Sequence, residues 1–184
     1  MKGKVRVLSW IAVLLLMLST VGTVSVSADS GARTYHYIIG TGLLCGLDPS
    51  ACPAKARATV NDDIIELRGE GTLTIHPKSV TGGGTFVHKD AAGNVLGSGT
   101  WTAMDLLSFK SYGTSPGFPP TFEGGLSLMR IHLTGGSASF DGILQVDCLI
   151  GKFPAGAIEG VRLAVPGLNF NKEVSGFTVF IRLP

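Results

Sequence analysis

The chain of 184 residues carries 15 Lys and Arg against 13 Asp and Glu, a formal charge of +2. Three of the bases, Lys2, Lys4 and Arg6, stand in the first six positions, so residues 29–184 hold 12 bases against 13 acids, a net −1 over 156 residues. Near-neutrality removes the phosphate-neutralising charge on which nucleic-acid binding depends, and no linker, low-complexity run or repeat divides a length that suits one domain with a real core.

Behind the basic start, Trp10–Leu18 is an unbroken apolar run, and a small-residue stretch ends in Val26-Ser27-Ala28. This predicts a signal peptide over residues 1–28, cleaved before Asp29. The competing reading is an uncleaved membrane anchor, since no charge falls between Arg6 and Asp29. The short apolar part and its Ser/Thr/Gly-rich continuation favour cleavage. No cysteine near the cut offers a lipid attachment point. The expectation is a secreted, extracellular protein with no membrane association after cleavage.

Thr34–Ile39 reads as a strand with aromatics at Tyr35 and Tyr37, and Gly40–Arg57 as a long irregular loop. In an exported chain Cys45 and Cys52 are the expected disulfide, worth roughly 2.5 kcal/mol by loop-closure entropy. Too few thiols and imidazoles lie at close spacing for a metal. Cys148 sits on an apolar strand face as a buried thiol, although its pairing with a loop cysteine stays open. The expected organisation is an N-terminal strand and disulfide loop over 29–58, continuous with an antiparallel β-domain over 59–184.

That domain alternates with period two. Predicted strands are Ile64–Arg68, Thr72–His76 (ended by Pro77), Thr85–His88, Val95–Met104, Leu106–Tyr112, Leu126–Leu133, Ser137–Ile150, Glu159–Val165 and Phe177–Leu183. Lys89–Asn94 is a polar turn, Ser115–Pro120 a loop and Gly135-Gly136 a second turn. At most Pro154–Ile158 holds a helical turn. The fold class is all-β, as an antiparallel β-barrel or a two-sheet β-sandwich. Glycines inside strands at Gly71, Gly84, Gly97, Gly99 and Gly142 favour the barrel, whose corners need them. The disulfide loop would then fold over one end. Trp101 shares a strand face with Val95, Gly97, Gly99 and Ala103, which places it inside, as a core residue first and a ligand platform second.

Catalytic signatures are absent. His36, His76, His88 and His132 show no metal-ligand spacing, and no Gly-x-Ser-x-Gly elbow occurs. Gly82-Gly83-Gly84 has no following helix to bind phosphate, so no cofactor is expected. Asp141 and Asp147 lie on one strand, roughly 20 Å apart, too far for a glycosidase pair. Glu66, Arg68, Arg130, His132, Asp141, Asp147, Arg162 and Arg182 oppose the apolar stripes and read as outer-face ion pairs.

The runs HPKSVTGGGTFVHKDAAGNVLGSGTW, LLSFKSYG and FDGILQVDCLIG resemble a group of small exported microbial β-proteins to which no activity is assigned. The resemblance spans roughly residues 59–183 and supplies no catalytic residue. At fold level the chain is loosely similar to lipocalin-type and dirigent-type barrels. Two functional expectations follow. One is a non-catalytic domain taking a small apolar ligand in the barrel mouth, with Tyr35, Tyr37, His88, Trp101 and Arg130 as binding residues. The other is a cyclase- or isomerase-like enzyme acting on a small apolar substrate, with Tyr35, Tyr37, His88 and Arg130 pointing inward.

Overall fold

The computed structural model describes residues 31–184. The expected leader and its cut before Asp29 lie outside the described residues. Among the described residues there are eleven strands: β1 Thr34–Ile39, β2 Ala54–Arg57, β3 Ile64–Thr74, β4 Ser79–Lys89, β5 Val95–Gly113, β6 Phe122–Gly135, β7 Ala138–Cys148, β8 Gly160–Val165, β9 Leu168–Phe170, β10 Lys172–Ser175 and β11 Thr178–Arg182. One five-residue helix, α1 (Leu43–Leu47), and a 3-10 turn (Pro49–Ala51) complete the described elements. The described residues are all-β, and every strand pairing among them is antiparallel.

Two long strands organise the pairing. β3 offers one edge to β4 and divides the other between β2 and β1. β6 offers one edge to β5 and divides the other between β7 and β11. β4 pairs β5, and β11 pairs β1, so the ladders run β3, β4, β5, β6, β11, β1 and meet β3 again. β8 and β9 extend the sheet beyond β7, and β10 extends it beyond β2. The narrowest join in that circuit is β11 with β6, where only Phe180↔Glu123 and Ile181↔Phe122 are in register.

Several predicted boundaries are corrected. Ile64–Arg68 and Thr72–His76 are one strand, because Gly69 and Gly71 let the backbone bend without breaking the ladder. Val95–Met104 and Leu106–Tyr112 are likewise one strand, bent by bulges between Ala103 and Asp105 and between Leu106 and Ser108. The Gly40–Arg57 loop contains α1, the 3-10 turn and strand β2, while Pro154–Ile158 holds no more than a single turn, with the Ala157 amide donating to the Pro154 carbonyl at 3.2 Å. Ala54 and Ala56 are buried and Lys55 and Arg57 half-buried, a strand alternation that the neighbouring Cys and Pro residues obscured.

The core lies where alternation places it. Tyr35, Tyr37, Leu67, Leu73, Leu144 and Phe180 are fully enclosed. Tyr35, Phe109 and Phe180 form an aromatic run with centroids 4.9 Å apart at each step. Trp101 is 1% exposed and lies over Gly69, where a Cβ would come within 2.3 Å of its Cζ2. Its Nε1–H donates to the Arg68 carbonyl at 3.1 Å. The Tyr37 hydroxyl covers Gly71 in the same way and donates to the Thr81 carbonyl at 2.8 Å.

Most of the expected ion pairs form; Arg68 and Asp147 are the exceptions, Arg68 Nη1 donating to the Gly40 carbonyl at 3.2 Å instead. Lys55 and Lys89 meet Glu66, Arg162 meets Glu173, and Arg182 meets Glu123. Asp147 is not on an open face: it is 5% exposed, near Tyr112, Glu173 and Arg162, which approach the end of β7. Burial pushes its carboxyl above the ordinary range, against the partial opposition of the Tyr112 hydroxyl. Folding therefore takes up a proton between the unfolded carboxylate pKa, near ~4, and the raised folded value. Stability contributed at this site is present at low pH and lost as pH rises through that window. Asp147→Asn should flatten this part of the pH–stability profile in denaturant titrations, and an unchanged slope would count against burial as the cause. Thr178 is buried at 4% exposure, and its hydroxyl proton is shared between the Asp147 carbonyl and the Glu159 carboxylate, each at 2.9 Å.

Candidate functional site: an apolar cavity beneath the disulfide loop

Where β1 and β7 end and β11 begins, the chain builds a cavity of about 610 Å³. Gly40 and Gly42, at φ of 50° and 51°, turn the backbone off β1 into α1 in a conformation that a side chain would oppose. Leu44 is buried, while Leu43 and Leu47 stand 40% and 70% exposed at the mouth. The Cys45–Cys52 disulfide fixes α1 to the start of β2, as the sequence predicts. Phe118, Pro119 and Phe122 line a second side, and Cys148–Ile150 with Phe177–Val179 line the rest.

Cys148 is the free thiol, buried at 1% exposure and pushed by burial to a pKa of about 12. Thiol labelling should find nothing reactive in the native protein and one thiol after unfolding without reductant. Two or three thiols would remove the disulfide.

Two charged residues border the cavity, both acids. Asp48 accepts from the Ser50 amide and hydroxyl, each at 2.8 Å, and these bonds lower its pKa. Glu159 accepts from the Leu149 amide at 2.7 Å, the Thr178 amide at 2.8 Å and the Thr178 hydroxyl at 2.9 Å. Its pKa is nevertheless raised, with burial the largest cause. The carboxylate thus ties the ends of β7 and β11 together and leaves one polar spot in an apolar wall.

The residues proposed from sequence do not converge. Tyr35, Tyr37 and Trp101 are core residues at 0–1% exposure, and each of their polar atoms has a protein partner. His88 is half-buried, edge-on to Phe170, with its Nε2 2.8 Å from Asp63. Arg130 lies on the exposed face between Asp105 and Asp141. None of the five lines the cavity. The residues that do had weak signals: the Leu43-Leu44-Leu47 spacing of one helical turn, and Phe118 among prolines.

A second constellation was also missed. His132 Nδ1 lies 2.7 Å from Asp141, and its Nε2 lies 2.7 Å from the Ser139 hydroxyl. This is the order of groups in a nucleophile–base–acid chain, brought together by the β6–β7 register. It stands on an open strand face, with His132 and Asp141 side chains 42% and 51% exposed. Ser139 borders none of the cavities at Arg130–Pro166, at Ser50–Phe177 or beneath α1. Asp141 and Arg130 border the small cavity at Arg130–Pro166 while the Ser139 hydroxyl does not, so the would-be nucleophile and the cavity are not brought together there.

Among the described residues no group of three potential metal ligands occurs, and no helix is long and apolar enough to cross a membrane. Comparison with protein-family models, curated proteins and solved structures yields no match.

Proposed function

We propose that this is an exported β-barrel protein that binds a small apolar molecule in the cavity beneath the disulfide-tied helix, without turning it over. The cavity carries the reading: its volume lies within the roughly 300–1,000 Å³ typical of small-molecule sites, and its wall is almost wholly apolar. The barrel assignment draws on the return of the pairing circuit to β3 and on glycines under large rings at its bends. Export draws on the N-terminal leader pattern and on the disulfide, which belongs to oxidising compartments. A cyclase or isomerase would need its titratable groups in one cavity, and Tyr35, Tyr37, His88 and Arg130 are dispersed.

Native mass spectrometry of protein secreted by its own host should reveal a bound apolar molecule, and a solvatochromic apolar dye should compete for the same site. Leu149→Trp places an indole on the half-buried cavity wall and should weaken dye binding roughly tenfold or more. Absence of dye binding to the unaltered protein, or equal binding by the variant, would overturn the reading.

A further inference from the structure

Resting on that binding reading, we propose that the cavity discriminates by head-group charge, accepting long-chain amines first, neutral alcohols second, and excluding carboxylates such as free fatty acids. The argument is the distribution of charge around the apolar space. Asp48 stands at the border and Glu159 in the wall of the main cavity. A smaller cavity of about 300 Å³ adjoins it, sharing Glu159 and Phe177 and adding Glu173. No Lys, Arg or His lines either space among the described residues. Arg162 is held by Glu173 through two contacts, 2.6 Å and 3.0 Å long, and borders neither cavity.

An amphiphile that buries its chain against Leu44, Phe118 and Val179 must leave its head near the mouth or beside Glu159. A carboxylate there finds like charge and no cationic partner, and the low dielectric of an apolar wall strengthens the repulsion. The three donors nearest Glu159 are already given to it, so they do not offer an alternative anion site. An ammonium group instead donates one or more charge-assisted hydrogen bonds to carboxylate oxygens that still have lone-pair capacity. An alcohol gains the hydrogen bond without the ion pair.

The test uses the chain from residue 29 onward, saturated with an apolar dye at neutral pH and moderate salt, below the micelle concentration of each competitor. Dodecylamine, dodecanol and dodecanoate share one tail and differ in the head. The amine should displace the dye at concentrations roughly tenfold or more below the carboxylate, with the alcohol between them. Asp48→Asn and Glu159→Gln, singly and together, should narrow that gap. Asp48 lies at the exposed border, so its variant reports even if Glu159→Gln fails to fold. If dodecanol displaces the dye but amine and carboxylate compete equally, or if the amine preference survives both substitutions, the charge selection is wrong while the binding reading stands. If none of the three displaces the dye, the binding reading falls and this inference with it.

Discussion

Trp101→Ala should remove about 3–5 kcal/mol of stability, a loss comparable to the whole margin of many single domains. The ring is 1% exposed and lies against Gly69, where neighbouring backbone has no side chain to fill the space. Truncation therefore opens a cavity that no adjacent side chain at Gly69 can collapse into, and it strands the Arg68 carbonyl. Trp101→Phe should cost less, since it restores much of the ring and loses the indole donor. The measurement is clean on the chain from residue 29 onward, in which Trp101 is the one tryptophan. Native emission should be that of a buried indole and should shift red in a single transition with denaturant. Solvent-like native emission, or a loss below ~1 kcal/mol on truncation, would show that the ring does not close the bend between β3 and β5.

Glu123→Ala should cost about 3–5 kcal/mol for a different reason. Glu123 is 3% exposed and receives the Tyr35 hydroxyl at 3.1 Å and the Ser111 hydroxyl at 2.9 Å, while Arg182 lies 3.1 Å from its other oxygen. Removing the carboxylate takes from the Tyr35 and Ser111 hydroxyls their shared acceptor and leaves Arg182 without its counter-ion. The position magnifies the loss, since Glu123 sits in the two-residue register that joins β11 to β6. Amide exchange in β11 and β1 should accelerate more than in β4 and β5. Glu123→Gln, which keeps an acceptor, should recover part of the stability. Equal exchange across all four strands would mean that the β6–β11 join is no weaker than the rest.

Period-two alternation was enough to sort the two faces of most strands. Leu67, Leu73, Trp101, Leu144 and Val146 are buried where their spacing places them, because side-chain direction in a strand is a local property of the backbone. The Cys45–Cys52 pair was legible for a similar reason: two cysteines close in the chain, with Cys148 far away on an apolar face.

Tertiary structure decided whatever depends on a partner. A glycine such as Gly69 ends a strand or bends it according to what lies across from it, and here Trp101 lies there. Asp147 and Thr178 have polar side chains on nominally outer faces, yet neighbouring segments cover them, which alternation within one strand does not encode. Tyr35, Tyr37 and Arg130 have the chemistry of a binding site but point into the core or away from the cavity. The cavity itself draws its wall from residues between Leu43 and Val179, each an ordinary apolar residue in its own segment. Sequence by itself determined which face of most strands leaves water; the packing of strand ends around α1 decided which apolar residues remain facing a space that a ligand can fill.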